Sequence, residues 1–136
     1  MAIFVDTNIL LDVLEKRAPH HVDSERVLER CDQLQQPVFM AWHTLATAFY
    51  IYSRKVGEAA AQVALEQLLW SVSVAYTGHL EAVRAFQLGF EDLEDALQAV
   101  AAEACGARCI VTRNKQDFSG SPAPVLTPQE FLVANP

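Results

Sequence analysis

Apolar residues follow two rhythms along this chain. Short unbroken runs occur at residues 2–5 and 38–40, residues 109–112 form a third that ends on the polar Thr112, and residues 72–76 alternate apolar and polar. Runs of three to five residues with this composition predict strands, the unbroken ones buried on both faces. Between them the apolar positions recur at helical spacing. Residues 7–16 predict a helix with Ile9, Leu10, Leu11, Val13 and Leu14 on its apolar side, stopping near Pro19. Val27, Leu28, Cys31 and Leu34 share a second helical face, and residues 44–54 carry Leu45, Ala48, Phe49 and Tyr52 on one side. Gly57 breaks that helix, and residues 58–70 form another. Two more helices, 79–88 and 93–105, are separated by Gly89 and closed by Gly106. Val125-Leu126 reads as a final edge strand, and Thr127-Pro128 caps a terminal helix with proline at the favoured first position.

Strands alternating with helices predict an α/β fold whose parallel sheet is covered on both faces. Ligands of such folds bind beyond the carboxyl ends of the strands. Polar clusters stand at two of those ends, Asp6-Thr7-Asn8 and the segment from Thr112 through Arg113, Asn114 and Lys115 to Asp117. Asp6 lies between a strand and a helix, next to the core, where an unpaired charge is costly. Either it is solvated and starts a helix, or a cation belongs beside it.

A third acidic cluster opens the helix at 93–105. Asp92 and Asp95 are three residues apart and share a face of its first turn. Taken alone, Asp92 reads as an N-cap and Asp95 as a complement to the helix dipole. Asp117 alone reads as a cap before Phe118. Taken together, the acids border one crevice, where like carboxylates repel and burial penalises their charge. A hard divalent cation relieves both, and oxygen ligands with little His or Cys select Mg²⁺ or Mn²⁺. Such an ion activates water and stabilises charge on a phosphodiester.

Composition adds boundaries. The 136 residues suit one domain, 1–136, with a real core; 51% are hydrophobic and 20% charged. No apolar run reaches the roughly 20 residues of a membrane span, and Asp6 interrupts the N-terminus too early for a signal peptide. The expected location is the cytoplasm, where Cys31, Cys105 and Cys109 stay unpaired. A net charge of −7 argues against a generic basic nucleic-acid surface. It leaves room for an enzyme that meets phosphates through a metal held by its own acids.

The set VDTNILLDVL, EDLEDALQAVAAEACGA, CIVTRNKQDF and VLTPQEFL resembles the PIN-domain family over residues 2–132. The resemblance implies a three-layer α/β/α sandwich with a central parallel sheet. It also implies an Mg²⁺- or Mn²⁺-dependent endoribonuclease like the VapC toxins of toxin–antitoxin pairs. RNA is then the substrate, a small antitoxin protein the partner, and a homodimer the expected assembly. Carried over by position, Asp6, Asp95 and Asp117 are the catalytic, metal-binding acids, and Asp92 is an added acid that binds a second metal or orients a water. Thr7, Asn8, Thr112 and Asn114 are polar support; Arg113 and Lys115 are candidates for phosphate contact. Thr47 stands where the family usually has a Glu, so the site has one charge fewer. That departure motivates an alternative, a catalytically degenerate PIN module that binds RNA or protein without cleavage. A receiver-like or phosphoryl-transfer reading with Asp6 as nucleophile is disfavoured, because position 8 is Asn rather than Asp.

Other residues read more plainly. Lys16-Arg17 and His20-His21 suggest a solvated loop, and Arg54-Lys55 complements a helix end. His43 is either a substrate contact or a hydrogen-bonded structural residue. Trp42, Phe49, Tyr50 and Tyr52 are expected in the core more than on a stacking platform.

Overall fold

The computed structural model describes all residues from Met1 to Pro136. Five strands, β1 (Ile3–Val5), β2 (Val38–Met40), β3 (Val72–Val74), β4 (Ile110–Val111) and β5 (Val125–Leu126), form one sheet in the order β3-β2-β1-β4-β5. Every pairing is parallel, with Phe4 opposite both Phe39 and Ile110. Parallel pairing requires crossovers, and these are the helices α1 (Thr7–Glu15), α2 (His21–Gln33), α3 (Trp42–Val56), α4 (Glu58–Leu68), α5 (His79–Gln87) and α6 (Leu93–Ala104). A 3₁₀ turn, Lys115–Phe118, follows β4, and α7 (Pro128–Ala134) ends the chain.

The pleat of β1 divides the core. Ile3 and Val5 point to one face, where they meet Ile9, Leu10, Val27, Cys31, Leu65 and Phe131 from the helices. Phe4 points to the other, against Ala99, Ala101, Ala102, Ile110 and Phe118. All three strand residues are fully buried, which explains why an uninterrupted apolar triplet forms a strand here. The second face is lined by alanines, so α6 lies close on the sheet with little side-chain volume between.

Element boundaries depart from the sequence-based expectation in three places. Helix α3 begins at Trp42 rather than residue 44, because Ala41 already leaves the strand in extended conformation as the N-cap. No Ser, Thr, Asp or Asn announces that start, so the sequence carried no capping signal. Strand β3 stops at Val74, although the Ala75 N–H still reaches the Met40 carbonyl at 2.8 Å. Strand β4 is only Ile110–Val111. The terminal helix forms as predicted, with Thr127 Oγ1 accepting from the Glu130 N–H at 3.1 Å and Pro128 at its first position.

One charged side chain on α1 is wholly interior. Asp12 has no exposed surface, and Arg113 donates to it twice, from Nε at 2.8 Å and Nη2 at 3.1 Å. Ser24 Oγ on α2 also donates to Asp12, at 3.2 Å. The pair ties α1, α2 and the segment after β4 to one point. Removing one partner of such a pair strands a charge, at a cost of about 3–5 kcal/mol, whereas replacing both by apolar residues is often nearly neutral. Chemical denaturation should therefore show Arg113→Met destabilised by about 3 kcal/mol or more, with Asp12→Leu in the same chain recovering most of the loss.

Candidate functional site

The carboxyl ends of β1 and β4 open at the amino end of α6, and the predicted acids gather there. Asp6 is the N-cap residue of α1, yet its side chain makes no capping bond. It is 3% exposed, and its two oxygens are held from opposite sides. Gln98 Nε2 donates to Oδ1 at 3.0 Å, and Thr112 Oγ1 donates to Oδ2 at 2.8 Å. Burial pushes the Asp6 carboxyl above the usual range, against the lowering effect of Thr112, Gln98 and the N–H groups of Asn8 and Thr7. The helix-start reading of Asp6 thus gives way to a buried, oriented carboxylate.

Gln98 was not among the residues singled out from sequence. It is fully buried, and its Oε1 accepts from the Thr7 N–H at 2.9 Å and Thr7 Oγ1 at 3.2 Å. Thr7 Oγ1 stands 2.9 Å from Thr44 Oγ1 on α3. One amide therefore links α6, α1 and, through Thr7, α3. The available signal was its spacing, three residues beyond Asp95 on the same face, and its polarity within an apolar run.

Asp92, Asp95 and Asp117 line one cavity of about 370 Å³, together with Phe90, Gln116 and Ser119. Asp92 is the N-cap of α6, as its isolated reading implied, with Oδ1 accepting from the Glu94 N–H at 2.8 Å and the Asp95 N–H at 3.3 Å. Asp117 is exposed on the 3₁₀ turn. Asp95 is half-buried, and its carboxyl is pushed up to about 7 by burial first, then by the charges of Asp92, Asp6, Asp117 and Glu94. Glu94 is itself raised, by desolvation and by Asp92 and Asp6.

The remaining predicted residues lie as follows. Asn114 donates its N–H to Thr112 Oγ1 at 3.1 Å, which fixes the hydroxyl that holds Asp6. Asn8 Oδ1 faces Arg17 Nη1 at 3.4 Å. Thr47 is half-buried on α3, one turn past Thr44, and it is Thr44 whose hydroxyl reaches the crevice network. Arg113 is committed to the buried Asp12, whereas Lys115 makes only an exposed surface pair with Glu130, at 3.0 Å. Lys16 pairs with Glu25 and Arg17 with Glu15 at 2.5 Å, which leaves the basic loop near Pro19 neutralised.

The donor set is all oxygen and carries at least four negative charges when ionised, which suits a hard dication such as Mg²⁺ or Mn²⁺. No three Asp, Glu, His or Cys side chains are grouped tightly enough to ligate one ion as they stand. Mutual repulsion of uncompensated carboxylates favours separation.

Comparison with known proteins bears on this geometry. The family model described as PIN domain matches residues 2–116. The chain belongs to the PIN-domain family. This PIN domain is 26% identical over 134 residues to Ribonuclease VapC1 of Aquifex aeolicus, covering 95% of the chain and 92% of that relative. Its fold matches the VapBC2 structure from Rickettsia felis, bound to a promoter DNA fragment, with a TM-score of 0.74 at 20% identity, covering 93% and 98% of the two chains. It also matches a toxin–antitoxin complex from Klebsiella pneumoniae, with a TM-score of 0.70 at 25% identity, covering 94% and 98%.

The raised carboxyls of this PIN domain set its stability against pH. A carboxyl raised on folding binds its proton more tightly in the native state, so stability is greatest below the unfolded value and falls as pH rises through the folded one. For Asp95 that window runs from the ordinary value of 3.8 to about 7. In metal-free buffer, scanning calorimetry should find the Asp95→Asn variant several degrees more stable than the parent above pH 7, the difference vanishing near pH 4.

Proposed function

We propose that this PIN domain is an Mg²⁺- or Mn²⁺-dependent endoribonuclease and the toxin of a toxin–antitoxin pair. The observation that carries the reading is the grouping of Asp92, Asp95 and Asp117 around one crevice, with the buried Asp6 close enough for its charge to act on Asp95. Burial first, then the neighbouring charges including Asp6, raises the Asp95 carboxyl to about 7, an environment that a cation would relieve. The ribonuclease activity named for the Aquifex relative supports the substrate class.

In this reading Asp6, Asp95 and Asp117 hold the ion, with Asp92 as an additional oxygen donor. A dication bound there would supply Lewis acidity toward a water and the phosphodiester. The protein's own contribution is orientation. Gln98 and Thr112 fix both Asp6 oxygens and keep that carboxylate from rotating. Asn114, through Thr112, holds the same arrangement from behind.

The partner part of the proposal rests on the toxin–antitoxin complex among the structural relatives and on surface chemistry. An apolar groove between α3 and α4, lined by Leu45, Phe49, Leu65 and Leu69, offers a protein segment an interface. Pairing of two copies and a cytoplasmic location belong to the same proposal. No helix is long and apolar enough to cross a membrane, and the three cysteines are free.

A second reading, an RNA- or protein-binding PIN module without cleavage, is favoured by Thr47 and by the open grouping of the acids. Two measurements separate them. Incubation of the protein with structured RNA and Mn²⁺ should give cleavage that chelator abolishes. Asp6→Asn should lower the rate at least about 100-fold, because loss of metal stabilisation costs several kcal/mol of the barrier. Equal inertness of parent and variant toward varied RNAs would sink the nuclease reading. Calorimetric titration with Mn²⁺ should show saturable binding by the parent and none by Asp6→Asn; absence in both would favour the binding module.

A further inference from the structure

A second cavity, of about 280 Å³, opens at the carboxyl ends of β2 and β3. Its lining includes Ala41, Trp42, His43, Glu81, Leu97 and Ala101. Strand order places it beside the acidic crevice, because β2 adjoins β1, and strands lie about 4.8 Å apart. Helix α6 borders both, with Asp95 lining the crevice, Gln98 bound to Asp6, and Leu97 and Ala101 lining the cavity.

Three features of this cavity carry binding capacity that the fold leaves unused. His43 Nε2 is buried and has no hydrogen-bond partner within the chain. A buried polar atom without a partner calls for one from outside. Glu81 Oε2 accepts from the Gly78 N–H at 3.2 Å, which leaves Oε1 open, and no cation pairs with this carboxylate. Arg84, one turn along α5, is engaged by Glu103 at 3.3 Å. Trp42 is 70% exposed at the rim and Tyr76, next to it around an adjoining hollow, is 97% exposed. Large aromatic surfaces in water carry a cost that a stacked partner removes.

We propose that this cavity is a nucleobase subsite, which receives a base of the RNA bound at the neighbouring acids. The proposal rests on the ribonuclease reading for its substrate. A free carboxylate in the wall repels phosphate but accepts from the N–H groups of a base edge, guanine offering two side by side. His43, kept neutral by burial, supplies one further donor or acceptor. The small floor of Ala41 and Ala101 admits a flat ring, and Trp42 stacks on it from the open side.

The test uses guanosine and ribose 5-phosphate in calorimetric titrations without divalent metal, followed by mapping of cut sites on a random-sequence RNA with Mn²⁺. Guanosine should bind saturably and ribose 5-phosphate should not. Glu81→Gln, which keeps the capping contact to Gly78, and Trp42→Ala should each weaken guanosine at least about tenfold. Cut sites of the parent should show a base preference that Glu81→Gln relaxes. Ribose 5-phosphate binding as well as guanosine, or no guanosine binding at all, would overturn the subsite. So would cleavage with an unaltered preference in Glu81→Gln, since guanosine would then be a free ligand unconnected with RNA. Saturable guanosine binding by a protein that cuts no RNA would instead remove the nuclease reading and leave a base-binding pocket.

Discussion

A carboxylate buried at the end of the central strand constrains the rest of this molecule. Asp6 is held where water cannot solvate it, and the chain compensates with two hydrogen bonds from distant elements. Gln98 comes from α6 and Thr112 from the end of β4, so the bonds close only when β1 and β4 are paired and α6 is docked on the sheet. Neutral donors lower the cost of the charge without cancelling it, and the carboxyl stays raised.

The surrounding architecture supports that arrangement in layers. Gln98 also accepts from the Thr7 backbone and hydroxyl, and Thr7 meets Thr44. The segment carrying Thr112 is anchored one residue later, where the Arg113 guanidinium meets the interior Asp12. Two kinds of buried polar contact thus divide the work. A neutral network orients the carboxylate that faces the crevice, and an ion pair, wholly satisfied, fixes the loop behind it.

Much of this was legible in the sequence, for physical reasons that differ by residue. Apolar triplets and helical periodicity report burial directly, so the five strands, seven helices and parallel covering followed from pattern alone. Acids at strand ends report an electrostatic problem, which is why Asp6, Asp95 and Asp117 stood out. What stayed hidden depends on side-chain pairing across long sequence separations. Arg113 read as a phosphate contact, but its partner Asp12 lies 101 residues away in the sequence. Gln98 looked incidental within an alanine-rich helix. Trp42 and Tyr50 read as core at helical spacing, yet they are 70% and 59% exposed, because periodicity gives a shared face and not which way that face turns. His43 offered two readings, and its buried Nε2 lacks the hydrogen bond that the structural one required.

The alanines beneath α6 have a further consequence. Ala99, Ala101 and Ala102 set the height of the helix above the sheet by having almost no side chain. An added methylene there would lift the helix axis and carry Asp95 and Gln98 away from Asp6 together. Spacing in this layer is thus governed by missing volume, and the least reactive residues of the chain hold the tightest mechanical tolerance over its chemistry.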